Sequence, residues 1–142
     1  GSVHLTQFPE VNPEYLDARL AHNWSTMIAL RGEISRALET ARKNKVVGHS
    51  LDARVDISPP DNLRSFMEMH REDLKTLLIL SQVNITDKDE IKDPYVSEEF
   101  PGLTIGVTKA QGKKCDRCWI YSETVGADPD HPTICERCRM NL

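Results

Sequence analysis

A chain of 142 residues with 39% hydrophobic and 28% charged side chains carries enough apolar material for one domain, or for a small domain with an appended module. Its net charge of −4 argues against a sequence-independent nucleic-acid binder, which is basic overall. No apolar run approaches the roughly 20 residues that cross a bilayer, and nothing near the start reads as a signal peptide, so a soluble, cytoplasmic, monomeric protein is expected. The charge is unevenly spread: residues 31–45 carry +3 and residues 84–100 carry −4, while the tail from 101 to 142 carries +1. The segment Arg31 to Lys45 and the tail are the candidate anion-facing surfaces.

Residues Asn12 to about Lys45 predict a long helix. Asn12 suits the cap, Pro13 the first turn, and Glu14 the helix dipole. Leu16, Leu20, Trp24, Met27, Ile34, Leu38 and Ala41 recur at three- and four-residue spacing and form one apolar stripe. His22-Asn23 is the one point where a break is allowed, and Gly48 is the expected stop. A stripe this long needs a partner, so it reads as a bundle helix whose neighbours lie elsewhere. Ser50 to Ile57 alternates with Leu51, Ala53, Val55 and Ile57 on one face, which predicts a strand ended by Pro59-Pro60. Asp61 to about Leu78 predicts a helix that Arg71-Glu72-Asp73 divides. Leu78 to Ile85 predicts a second strand, Thr86 to Pro101 an acidic surface loop, and Leu103 to Lys109 a third strand. The order is that of an α+β fold: a long N-terminal helix or helix pair, a small three-stranded sheet with one packed helix, and a C-terminal four-cysteine ribbon. Its expected divisions are a helical segment at 1–48, a small α/β domain at 49–108 and the ribbon at 109–142.

All the cysteines lie in that ribbon, as C-x2-C-x16-C-x2-C: Cys115, Cys118, Cys135 and Cys138. Each C-x2-C pair turns tightly enough to aim two sulfurs at one point, and the arm between the pairs can return as a hairpin to complete a tetrahedron. Gly112 and Gly126-Ala127-Asp128-Pro129 supply turn residues. A redox C-x-x-C needs only one pair beside a βαβ pattern, and reducing conditions disfavour disulfides. One structural Zn²⁺ is therefore expected, with four protein ligands and no open position for catalysis. His131 lies in the arm and reads as a solvated loop residue. His4, His22, His49 and His70 have no partner at ligand spacing.

Lys109, Lys113, Lys114, Arg117, Arg137 and Arg139 cluster around the cysteines, and Trp119 follows Cys118. Cations beside a flat ring suit single-stranded nucleic acid, the charges meeting phosphate and the ring stacking on a base. The same cations are equally compatible with a merely solvated surface. For Trp119 the composition favours burial, because so small a ribbon has few other large apolar groups.

The ordered set Lys114-Cys115-Asp116-Arg117-Cys118-Trp119, Tyr121-Ser122-Glu123-Thr124-Val125-Gly126, His131-Pro132-Thr133 and Cys135-Glu136-Arg137-Cys138 resembles the C-terminal zinc module of bacterial isoleucyl-tRNA synthetases. Upstream, Ser2-Val3-His4-Leu5 with Phe8-Pro9, Ala37-Leu38-Glu39-Thr40-Ala41-Arg42 and Val47-Gly48-His49-Ser50-Leu51-Asp52-Ala53 resemble the same family in the same order. The resemblance implies a fragment of an ATP-dependent isoleucine–tRNA ligase, the part that follows the helical anticodon-binding domain and helps grip the anticodon side of isoleucine tRNA. By position the four cysteines match that family's zinc ligands. ATP and Mg²⁺ would belong to a catalytic domain whose HIGH and KMSKS motifs do not occur here, so no catalytic residue is assigned. Partners would be the tRNA and the remaining domains of the synthetase. The competing assignments are a zinc-ribbon DNA-binding tail of a repair glycosylase and a protein-interaction zinc module.

Overall fold

The computed structural model describes residues 1–142. Short 3-10 turns at Val3–Leu5 and Pro13–Tyr15 precede helix α1 (Ala18–Lys43). Asn12 caps as expected, accepting from Glu14 N at 3.0 Å, but the turn it caps ends at Tyr15. Asp17, accepting from Leu20 N at 2.9 Å, caps α1 itself, so the helix starts later than its periodicity suggested. It runs unbroken through His22-Asn23. Its stop is not Gly48. Lys45 takes the left-handed conformation (φ 59°), while Val46 N donates to Ala41 O at 2.9 Å and Lys45 N to Arg42 O at 3.0 Å, a Schellman closure made without glycine.

Strand β1 (Ala53–Ser58) pairs in parallel with β2 (Gln82–Ile85) and antiparallel with β4 (Thr104–Lys109), and β4 also pairs with the two-residue strand β3 (Tyr95–Val96). The spatial order is β2-β1-β4-β3, so the sheet has one more edge strand than the sequence suggested. Parallel strands need a long crossover. Helices α2 (Asp61–Met69) and α3 (Arg71–Leu78) supply it, divided at His70, one residue before the expected point.

The register lines up Val55 with Val83 and Val107, and Ile57 with Ile85 and Ile105. These face the helices, and together with Met27, Leu30, Ile34, Ala37, Leu38 and Ala41 of α1, Met67 of α2, and Leu74 and Leu78 of α3 they make one core. The C-terminal half of α1 therefore does find its partner within the chain, contrary to the expectation of a stripe left uncovered. Leu16, just before α1, and Leu20 and Trp24 in its N-terminal half remain exposed, so this part of the stripe stays uncovered as expected. The opposite face of the sheet is polar: Asp56 binds Arg54 and accepts from Asn84 Nδ2 at 2.8 Å. There Ile91, from the acidic segment, lies where a Cβ on Gly106 would sit, 2.7 Å from its Cγ2. That segment is thus more ordered than a surface loop. Glu33, buried in α1, fastens its far end by pairing with Arg36 and accepting from Glu98 N at 3.1 Å.

The apolar run Leu78-Ile79-Leu80 does not form strand. Leu78 closes α3, Ile79 reverses the chain at φ 54°, and Leu80 turns inward. Leu80 N donates to Lys75 O at 3.0 Å and Ile79 N to Thr76 O at 3.2 Å, the same closure as at Lys45. A β-branched residue in this region is strained by about 1–2 kcal/mol, and the Ile79 side chain is 60% exposed, recovering little by packing. Ile79→Gly should therefore stabilise the chain by about 1 kcal/mol after the added backbone entropy. Chemical denaturation of the zinc-loaded chain measures this, and a lowered midpoint would contradict it.

Candidate metal centre and the ribbon surface

The ribbon grows from β4 through a tight turn at Gly112 (φ 87°), where a Cβ would meet the Ser122 carbonyl carbon at 2.3 Å, so that position requires glycine. Strands β5 (Lys113–Lys114) and β6 (Tyr121–Ser122) then pair as a hairpin, Lys113 opposite Ser122 and Lys114 opposite Tyr121. The first cysteine pair sits at the hairpin tip: Cys115 N donates to Ile120 O at 3.0 Å and Trp119 N to Cys115 O at 2.9 Å. The second pair opens the short helix α4 (Glu136–Arg139), with Cys138 N donating to Cys135 O at 3.0 Å and Cys135 N to Cys115 Sγ at 3.3 Å.

These turns bring four sulfurs within 4.8 Å of one another. Cys118 and Cys135 lie 3.7 Å apart, Sγ to Sγ. A disulfide needs about 2.05 Å. A zinc tetrahedron with bonds of about 2.3 Å has sulfur–sulfur edges of about 3.8 Å, which the Cys118–Cys135 separation matches, and no pair in the cluster is farther apart than 4.8 Å. Cys115, Cys135 and Cys138 are buried, and His131 is exposed and outside the cluster.

Electrostatics point the same way. Burial raises the Cys115 thiol, but the N–H groups of Cys118, Cys135 and Arg117 and a hydrogen bond from Cys118 bring it down to about 6. Burial and the neighbouring sulfurs push Cys138 up to about 12. One thiolate forms readily at Cys115, while Cys135 and Cys138 resist, first because burial disfavours their charged forms and then because neighbouring sulfurs crowd them. A dication removes that conflict, and the donor set fits one structural zinc ion. The Arg137 guanidinium lies against Cys118, which pushes its own pKa further up and offsets thiolate charge.

The structure separates the predicted surface residues into two groups. Arg117 is occupied, its Nη1 donating to Cys138 O at 2.9 Å and Asn141 O at 3.0 Å. Arg139 pairs with Asp128 across the arm, Nε to Oδ2 3.4 Å, and Arg137 attends Cys118. These three brace the ribbon. Lys113, Lys114 and Trp119 are exposed on its hairpin side. Trp119 is not the ribbon's core: it is 60% exposed at φ 65°, with Lys114 Nζ 5.6 Å from its ring centroid. The core expected of Trp119 consists instead of the cysteines with Val125 and Ile134. No sequence signal marked Trp119 for the left-handed region, which glycine usually fills.

Among known proteins, residues 112–139 match the family model described as a zinc finger found in FPG and IleRS. An isoleucine–tRNA ligase of Geobacter sulfurreducens is 44% identical over 138 residues, 97% of this chain and 15% of that protein. One from Caldanaerobacter subterraneus subsp. tengcongensis is 46% identical over 143 residues, 99% of this chain and again 15% of the relative. Over nearly its whole length the chain is similar to one part of isoleucine–tRNA ligases. It spans about 15% of the length of the curated relatives it matches. The zinc finger alone is shared with FPG, but the match through residues far upstream of it favours the ligase over a glycosylase tail.

Because the ribbon's apolar cluster is made largely of the cysteines, metal removal should unfold it, a loss on the order of 10 kcal/mol of coupled folding free energy. The main core draws no buried residue from beyond Ile105 and should survive. Two-dimensional NMR after chelation is expected to collapse amide signals from about residue 112 onward while α1 and the sheet keep theirs. Ribbon signals that stay dispersed without metal would contradict this.

Proposed function

We propose that this chain is the anticodon-side tRNA-binding portion of an isoleucine–tRNA ligase, the ATP-dependent enzyme that joins isoleucine to its tRNA, and that Cys115, Cys118, Cys135 and Cys138 hold its structural zinc. The observation that carries the RNA reading is Trp119. An indole held in a strained backbone conformation, exposed, with a lysine amine over its ring, gains nothing for the ribbon's own packing. It is the arrangement a base-stacking platform needs, since every base offers a π face and Lys113 and Lys114 stand ready for phosphate. The chain's own residues do no chemistry in this reading. The zinc, when bound, supplies rigidity, and the hairpin orients Trp119 and its lysines towards RNA. The projecting half of α1, with Leu20 and Trp24 exposed, and Leu16 just ahead of it would pack against preceding helices of the whole enzyme. ATP and Mg²⁺ would act in the enzyme's catalytic part.

Titration of the zinc-loaded chain with isoleucine tRNA, another tRNA and duplex DNA at several salt concentrations tests this. Binding should be weak, salt-sensitive and strongest for isoleucine tRNA. Trp119→Ala should weaken it about tenfold, the loss of one stacked base, and Lys113→Glu with Lys114→Glu should weaken it comparably. Trp119→Ala with unchanged affinity would leave the protein-interaction module as the better reading.

A further inference from the structure

A second cationic site lies off the ribbon, where the end of α1 meets the base of the hairpin. An open cleft of about 470 Å³ is lined there by Arg42 and Lys45 from the helix end, Asp52 before β1, Lys109 at the end of β4, and Tyr121 of β6. Three cations face one carboxylate. Asp52 is already engaged, its Oδ2 accepting from His49 N at 2.9 Å, and Arg42 is paired with Glu39. Lys45 and Lys109 are exposed and have no anionic partner within 4.0 Å.

The simplest explanation is that cations gather at a helix C-terminus to offset its dipole. That accounts for Arg42 and Lys45. It does not account for Lys109, which comes from the sheet, or for a tyrosine from another module closing the cleft. The pairing within the hairpin supplies continuity. Tyr121 stands directly opposite Lys114, so the two side chains share one face, and the Lys114 amine lies 5.6 Å from the Trp119 ring centroid. A line of free cations and rings thus runs from Lys45 and Lys109, past Tyr121, to Lys114 and Trp119. Spaced cations of this kind follow a phosphodiester backbone, whereas a compact ligand would need them to converge.

We propose that this cleft binds the phosphodiester backbone of a folded RNA, with Lys45 and Lys109 each meeting a phosphate of a strand that continues past Tyr121 towards the Trp119 corner. The inference rests on the RNA-binding reading above and adds a second, backbone-only anchor to it. The ribbon then contributes stacking and the body contributes register.

The test uses the zinc-loaded 142-residue chain and an isoleucine tRNA. In ¹H–¹⁵N NMR, added tRNA should shift the amides of Gly48, Ala110 and Tyr121 along with those of the ribbon. The double variant Lys45→Gln, Lys109→Gln changes only exposed side chains and should keep the wild-type spectrum. It should bind about tenfold more weakly, with the slope of log affinity against log salt reduced by about two, one for each phosphate left without its lysine. If the cleft amides stay still and the double variant binds normally while Lys113→Glu with Lys114→Glu weakens binding, the cleft proposal is wrong and the ribbon reading stands. If neither cleft nor ribbon responds to tRNA, both are wrong. Equal shifts and affinity with duplex DNA would overturn the assignment to RNA.

Discussion

Four sulfurs held within 4.8 Å of one another cannot all be ionised unless a cation sits among them. The backbone has already prepared for that cation. Peptide N–H groups aimed at Cys115 stabilise one thiolate in advance, while Cys138, buried among its fellow sulfurs, holds its proton to about 12. Metal binding therefore displaces protons from sulfurs the fold has already gathered within 4.8 Å of one another. The consequence reaches past the site. The cysteines are most of the ribbon's buried material, and Arg117, Arg137 and Arg139 are all committed to bracing their turns. A module of this size holds its shape through the metal cluster because it has no apolar core to do it.

That economy frees the one large ring. In a ribbon stabilised by packing, Trp119 would have to be inside. Here the sulfurs do the internal work, and the tryptophan stands 60% exposed at positive φ. The left-handed conformation follows from the turn, because the residue after the second cysteine must bend the chain back so that Ile120 O can accept from Cys115 N. Glycine would make that bend without strain. Tryptophan tolerates it at some cost, and the outcome is a ring directed at solvent beside Lys114. Strain of this kind is retained where it serves a surface.

Much of this was legible in the residues, and the misses have definite causes. Cysteine spacing carried the site because ligand geometry permits few alternatives. Alternation carried β1 and β4 because a sheet with one apolar face imposes period two. The helix boundaries were misread where ordinary residues took conformations that sequence rules reserve for glycine. Lys45 ends α1 three residues before Gly48, and Ile79 makes the run Leu78-Ile79-Leu80 a helix closure with a reversal, though its composition is that of a strand. Tertiary packing decides both, since the backbone there must deliver Val47 and Leu80 into the core. The uncovered stripe on α1 was half right. Periodicity shows that a face is apolar, but only the fold shows that the sheet covers it from Met27 onward and leaves Leu20 and Trp24 bare.

How the ribbon meets the body decides whether the two cationic regions can act together. Ser81, buried beneath the junction, uses its hydroxyl twice, donating to Leu51 O and accepting from Tyr121 N at 2.8 Å. The Gln82 side chain closes a two-way amide pair with the backbone of Gln111, and Ala110 N donates to Asp52 O at 2.8 Å. These bonds are polar and few, each worth on the order of 1 kcal/mol net. They are also directional, which apolar packing is not, so they fix an angle more effectively than they add stability. The metal makes the ribbon rigid; Ser81 and Gln82 make it point one way. Both are needed for Tyr121 to wall the cleft while its cross-strand neighbour Lys114 reaches Trp119, because a rigid ribbon free to swing would present two separate patches of charge rather than one continuous track.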